Sequence, residues 1–344
     1  EAGRVIARCG PAICRATRDG AVWIGHLRDR HGSHPFKLPA TQVLAAEVDN
    51  LQQVTADDNS GYREIWYEEE GDAGFLYFDF YNGAMSVDQC RRLRQAFIEA
   101  RKRDTRVIVL MGGTDFWSNG IHLNCIEASA SPADSSWENI NAIDDLALEI
   151  ITTESHLTVS ALRANAGAGG VFLARAADEV WANRSVILNP HYKDMGNLFG
   201  SEYWTYLLPK YAGEENARRI TQARLPMGAG EAHGLGLVDE ILSAGRKKLD
   251  RVIRDHAVRL SEAPAFSARL QAKNLQRRAE EDQKPLAQYR EEELERMKLN
   301  FYGFDPSYHV ARYNFVYKIP KSRTPVTIAR HRDRKWIETM RDAS

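Results

Sequence analysis

The sequence predicts an α/β fold with a small β module in front of it and a helical extension behind. Three observations predict it. Between residues 74 and 170, short apolar runs alternate with amphipathic stretches of helical period, giving strand, helix, strand, helix, strand. Residues 4 to 45 are β-branched and aromatic runs broken by turn signals at Asp19-Gly20 and His31-Gly32-Ser33. Beyond Gly245, acids and bases alternate with few aromatics, as in QRRAEEDQKPLAQYREEELERMKL. These shifts divide the chain into residues 1–55, 56–245 and 246–344.

Taken in order, RVIARCGPAICRATRDGAVWIGHLRD enters directly into alternating sequence and reads as strands. Residues 46–73 are polar and acidic, end in YEEEGDAG, and read as a connecting segment. GFLYFDFYN (74–82) is a strand, and SVDQCRRLRQAFIEARKRD (86–104) a helix whose Ser86 and Gln89 have capping-box spacing. TRVIVLMGG (105–113) reads as a buried strand, SWENINAIDDLALEIITTE (136–154) as a helix, and LTVSALRANAGAGG (157–170) as a strand running into glycines. RSVILNP is a further strand, SEYWTYLLPKYAG and NARRITQARL are helices, and GAGEAHGLGLVDEIL is a helix leading to a strand. Residues 247–300 read as a solvated helical arm. The basic tail reads as strand or coil packed on the body, with a phosphate contact for Arg330, Arg332 or Lys335 as the lesser alternative.

Composition excludes several classes. With 46 Lys+Arg against 47 Asp+Glu, the net charge of -1 gives no general attraction to nucleic acid or an anionic membrane. No apolar run reaches the roughly 18 residues of a membrane span, and no charged-then-apolar leader opens the chain, so a cytoplasmic protein is expected. Cys9, Cys14, Cys90 and Cys125 are too scattered for a disulfide framework and lack zinc-site spacing, so no metal is expected. The chain opens on Glu1 rather than Met and is expected to be the later part of a longer protein.

RANAGAGGVFLARAADEV (163–180) thins its side chains to Ala and Gly just before a helix. Glycine costs about 1 kcal/mol against alanine in a helix, so such a cluster marks a close approach to the backbone. A phosphate, an oxyanion or another chain segment would each account for it.

Four pieces in one order, VIVLMGGTDFWSNGIHL, RANAGAGGVFLARAADEVWA, NPHYKDMGNLFGSEYWTYLLPKYAG and LPMGAGEAHGLGLVDEIL, resemble the crotonase (enoyl-CoA hydratase/isomerase) superfamily. The resemblance implies a ββα superhelix and an oxyanion hole for an acyl-CoA thioester, with Ile121 N–H and Gly169 N–H as donors. The alternative is that Ala166 to Gly170 only permits tight strand–helix packing. There are departures. Phe172 and His191, after Pro190, stand where hydratases carry their catalytic glutamates, and His122 replaces the first turn's aspartate.

NGIHLN, NPHYK and GSEYWTYLLPK resemble one branch, the HypX (HoxX) family of hydrogenase-maturation proteins. DGAVWIGHL and FKLPATQVL resemble the small OB-like β module that ends formyltransferases of the formyl-tetrahydrofolate type. The resemblance implies release of carbon monoxide from formyl-CoA for [NiFe]-hydrogenase maturation, with the tetrahydrofolate site in a missing N-terminal part. Coenzyme A, as formyl-CoA, is then the substrate, and its adenine is expected near Asn82 to Met85. Maturation proteins or the hydrogenase large-subunit precursor are the implied partners, with neither nucleic acid nor membrane among them. Tyr192 and Glu202 are implied as the proton-shuttling pair. Ser118, Asn119, Gly120 and His122 in the first turn, Ala168 and Gly170 in the second, and His191 are placed around the substrate.

Each has a plainer role. Glu202 follows Ser201 at a helix start, where the dipole favours an acid. Tyr192 would cap the core, and His122 would bond the loop backbone. Two other functions stay open: an acyl-CoA hydratase, isomerase or hydrolase with a relocated base such as Glu202 or His191, and a non-catalytic CoA-binding maturation scaffold.

Overall fold

The computed structural model describes residues 1–319 apart from Arg30, His31, Ser33, Gln52 and residues 55–60. The tail with Arg330, Arg332 and Lys335, and two of the three residues of the His31-Gly32-Ser33 turn, lie outside the described residues.

Strands β1 (Val5–Cys9), β2 (Ala12–Ala16) and β3 (Ala21–Ile24) form an antiparallel meander, and β4 (His26–Arg28) pairs with β5 (Lys37–Pro39). The strand expectation over residues 4–45 fails at its end, where the helical turns α1 (Ala40–Val43) and α2 (Ala45–Val48) follow. ATQVLAAEV is rich in helix formers, and Ala40 and Val48 bury against Val5 and Ile13.

The segment read as a connector contains a strand. β6 (Ile65–Glu70) pairs antiparallel with β7 (Ala73–Phe78) at a sheet edge. Glu68 and Glu69 face solvent there, where charge discourages further pairing, and that is why the stretch read as polar. Helix α3 (Val87–Ala100) follows, opened by the Ser86–Gln89 capping box.

Three units then repeat one pattern. They are β8 (Val107–Leu110) and β9 (Phe116–Ser118) with helices α4 (Leu123–Glu127) and α5 (Pro132–Ile151); β10 (Leu157–Leu162) and β11 (Asn165–Gly167) with α6 (Gly169–Arg175); and β12 (Glu179–Asn183) and β13 (Ile187–Asn189) with α7 (Trp204–Ala223). β14 (Met227–Gly228), α8 (Ala229–Gly234) and β15 (Glu240–Leu242) close the core. The first strand of each unit enters a sheet of order β15-β12-β10-β8-β7-β6, parallel apart from the β6–β7 hairpin. The second enters β14-β13-β11-β9. This is the expected ββα superhelix. β9, α4 and β12 were not singled out from local pattern; EVWAN is β12, because Val180 and Trp181 pair with β10 once α6 ends.

The runs in β7, β8 and β10 are apolar throughout because both faces of the sheet are covered. Leu76, Ile108 and Leu162 face the core between the sheets. Phe75, Val109 and Val159 face outward and are covered by Leu249, Ile253 and Ala257 of α9 (Arg246–Glu262) and by Phe266 at the start of α10 (Phe266–Gln283).

The expected solvated arm is therefore partly a wall. Leu286, Met297 and Phe301 of α11 (Leu286–Tyr302) enter the inner core, and Tyr308 of α12 (Ser307–Val316) bonds to Ser136 at 2.7 Å. Apolar residues four apart make a one-sided stripe that the more numerous charged residues conceal in composition. No helix among the described residues is long and apolar enough to cross a membrane.

Candidate active site

Two glycine turns meet at the ends of β9 and β11. In the first, buried Ser118 accepts Gly120 N–H at 3.1 Å, and Asn119 is tied to the 82–83 loop through its N–H (2.7 Å) and Nδ2 (2.8 Å). In the second, Ala168 holds φ 46° and ψ -127°, a region that costs an L-residue about 1–3 kcal/mol. Its N–H donates to Asn189 O at 2.9 Å. A Cβ on Gly120 (φ 76°) would lie 3.3 Å from Gly169 N. Neither Ile121 N–H nor Gly169 N–H meets an acceptor among the described residues.

What approaches the glycines is in part the protein itself. A Cβ on Gly170 would overlap Ser118 O, and one on Gly169 would overlap Glu202 Oε1. Close chain packing explains Gly170. At Gly169 the close group is a carboxyl.

That carboxyl belongs to a buried pair. Tyr192 Oη donates to Glu202 Oε2 at 2.6 Å and lies 3.0 Å from Ser201 O. Glu202 is 1% exposed. Burial first, then the nearby charge of Asp144, pushes its carboxyl up to about 8. Burial and the Glu202 charge likewise hold the Tyr192 phenol well above its usual range. The Tyr192 ring stacks on Phe172 at 5.4 Å.

Glu202 lies just before the N-cap of α7 and not within its first turn. α7 begins at Trp204, and both Glu202 and Tyr203 are left-handed at φ 59°. The acid at that helix's N-terminus is Glu293 of α11, fully buried, which accepts from Tyr203 N–H (3.0 Å), Thr205 N–H (2.8 Å) and Thr205 Oγ1 (2.5 Å). On the other side, Asp144 of α5 accepts from Ser201 Oγ at 2.6 Å and from Glu202 N–H at 2.8 Å. Its carboxyl is pushed up to about 6 by burial.

Asp144 and Glu293 were not singled out in the sequence, though a signal exists. Asp144 shares a helical face with Ile140, Ile143, Ala147 and Ile151, and Glu293 with Leu286, Met297 and Phe301. An acid on an apolar stripe is buried and must have partners.

The remaining residues divide. His191 is buried, neither ring nitrogen has a partner among the described residues, and burial lowers its pKa. It lines a cavity of about 310 Å³ with Phe172, Tyr192, Lys193, Trp204 and Arg224. His122 lies apart from the pair. Its Nδ1 accepts Cys125 N–H at 3.2 Å, its ring stacks with His26 of the N-terminal module at 6.0 Å, and burial lowers its pKa to about 4. Asn119 joins the two turns, with Nδ2 on Asn82 O and Oδ1 beside Gly167. Ser118, Gly120, Gly169, Gly170, Glu202 and Tyr192 thus form one contiguous group. Among the described residues no cluster of three or more His, Cys, Asp or Glu forms a metal site.

Residues 81–301 match the family model described as enoyl-CoA hydratase/isomerase. The chain belongs to that family. It is 59% identical over 333 residues to the hydrogenase maturation factor HoxX of Bradyrhizobium diazoefficiens, covering 97% of this chain and 58% of that protein. HypX from Aquifex aeolicus, solved in complex with tetrahydrofolic acid, superposes with a TM-score of 0.91 at 45% identity, covering 96% of this chain and 59% of that one. The chain therefore spans a little over half the length of these two relatives. An enoyl-CoA hydratase from Bacillus halodurans shares the fold, with a TM-score of 0.63 at 20% identity over 73% of this chain and 99% of that one. In this member of the family, Phe172 is part of an aromatic stack and His191 a neutral ring. Neither offers a carboxylate.

Proposed function

We propose that this chain releases carbon monoxide from formyl-CoA. The carrying observation is the buried Tyr192–Glu202 pair, 2.6 Å apart and pressed against Gly169, with no carboxylate where hydratases have theirs. Ile121 N–H and Gly169 N–H, aided by the α6 N-terminus, orient the formyl oxygen. Ser118, Asn119, Gly120, Ala168 and Gly170 shape the two turns around the thioester, His191 borders the site, and His122 supports the first turn from the side of the N-terminal module. CoA follows the bent pose of the family, its adenine near Asn82 to Met85.

The reaction balances without a co-reactant. The C–S bond breaks with its electrons going to sulfur, and the C–H bond breaks with its electrons staying on carbon, which leaves as CO. Glu202, protonated at neutral pH, gives a proton to the sulfur, and the formyl proton returns to the Tyr192–Glu202 pair. A group that keeps its proton at neutral pH is a poor base for activating water, which disfavours hydration.

On this reading, residues 1–55 are a formyltransferase-type β module, residues 56–245 the CoA-binding domain and residues 246–344 its helical extension. Folate-dependent formyl transfer lies outside these residues. The gas serves [NiFe]-hydrogenase maturation in the cytoplasm, delivered to maturation proteins or the large-subunit precursor.

The test is to incubate the chain with formyl-CoA and record CO with a haem reporter. Glu202→Gln and Tyr192→Phe should each cut turnover by roughly 100-fold or more. The double variant should be little worse than either, since groups acting as a unit are non-additive. Full activity in both single variants would remove them from the chemistry.

A further inference from the structure

We propose that Asp144 and Glu293 are positioning residues for the reaction proposed above: two buried carboxylates, on α5 and α11, that hold the 200–205 turn so that Glu202 lies against Gly169. The turn needs holding. Gly200 (φ 96°), Glu202 (φ 59°) and Tyr203 (φ 59°) lie in the left-handed region, two of them bearing large side chains, and such backbone persists only where its surroundings over-determine it.

The surroundings do so from both sides. Asp144 holds the residues before the strained pair, through Ser201 Oγ and Glu202 N–H. Glu293 holds those after it, through Tyr203 N–H, Thr205 N–H and Thr205 Oγ1. Along the same helix, Asn300 accepts Phe199 N–H at 3.0 Å, and Met297 Sδ lies 3.2 Å from Gly200 N. One face of α11 therefore grips the turn from residue 199 to 205. Beyond the acids, Arg290 stands 3.9 Å from Asp144.

The choice of acid is informative. Both oxygens of a carboxyl group accept, so one side chain can take several hydrogen bonds, and burial raises the Glu293 carboxyl well above its ordinary range. Each of these two receives at least two donors around the Glu202 Cα. Neither touches the Tyr192 hydroxyl or the glycine turns, so neither is a catalytic residue. Their effect passes through Glu202, by its placement and, for Asp144, also by the charge that raises its carboxyl, so the crystal structures of the variants separate placement from charge; the contacts of Glu293 make the C-terminal extension part of the active site.

The test uses the full chain with Glu293→Gln, Asp144→Asn and the milder Ser201→Ala, each checked by thermal melting. Turnover of formyl-CoA, CoA affinity by calorimetry and a crystal structure are measured for each. Glu293→Gln and Asp144→Asn should lower kcat by 10-fold or more with CoA affinity within about 2-fold, and Ser201→Ala should fall between them and wild type. Built into Glu202→Gln, the same changes should cost less than 3-fold, because there is no longer a Glu202 to place. An equal loss in both backgrounds would mean a merely structural role and would overturn the proposal. If Asp144→Asn or Glu293→Gln does not fold, Ser201→Ala carries the comparison.

Should Glu202→Gln itself retain full turnover, the proposed chemistry fails, and the crystal structures decide the positioning. Displacement of Glu202 from Tyr192 in the folded variants upholds it. An unmoved 2.6 Å pair overturns it.

Discussion

Glu202→Gln should alter how stability depends on pH, with a sign and size that follow from burial. In the unfolded chain the carboxyl titrates at its ordinary 4.5, and in the folded chain at about 8. The folded state thus keeps a proton that the unfolded state releases, so stability falls as pH rises from about 4.5 toward 8. At about 1.4 kcal/mol per pH unit the full window is worth on the order of 4–5 kcal/mol. Below pH 6 Asp144 adds a slope of the same sign, since it too is raised by burial. Buried Glu293, raised well above its ordinary range, adds a slope of the same sign to both proteins, so Glu202 is read from the difference between them, about 3 kcal/mol from pH 6 to 8. Glutamine has no charge to desolvate and keeps an acceptor for Tyr192 Oη, so the variant should gain about that much on wild type between those pH values. Urea unfolding at pH 6, 7 and 8, at fixed ionic strength, reads it directly. Parallel slopes for the two proteins would refute the assignment of a buried, protonated Glu202.

Crotonyl-CoA should not be hydrated at useful rates, since each missing acid–base group costs about 100- to 10,000-fold; a coupled spectrophotometric assay showing ordinary hydratase rates would favour the relocated-base reading. Gly170→Ala should melt well below Gly169→Ala, because its Cβ overlaps the Ser118 backbone carbonyl, whereas that of Gly169 overlaps the end of the Glu202 side chain, which can shift at the cost of its bond to Tyr192. Gly169→Ala should instead show its loss in CO release. Calorimetry should detect binding of CoA but not of formyl-tetrahydrofolate; comparable affinities would show that residues 1–55 have been misread.

Much of the fold was legible because local period and spacing carry it. Short apolar runs marked β7, β8 and β10, and Ser86 with Gln89 marked the start of α3. Apart from the helical turns α1 and α2, whose helix formers are visible locally, the misreadings have one origin. β6, β12 and the α9–α11 wall are defined by what covers them. The Glu68 and Glu69 edge, the short α6 and the charged stripe-bearing helices each have a local composition that suits more than one environment.

The sequence by itself determined the order of the ββα units, the two glycine turns at residues 118–121 and 166–170, and the absence of carboxylates at Phe172 and His191. Only the tertiary structure decided that Glu202 lies against Gly169 and 2.6 Å from Tyr192, and that Asp144 and Glu293, 58 and 91 residues away in the chain, accept hydrogen bonds from its turn. The physical reason is that a turn's glycines answer to steric limits among near neighbours. A buried carboxyl's protonation and aim depend on donors, charges and the exclusion of water, and these come from segments that only folding brings together.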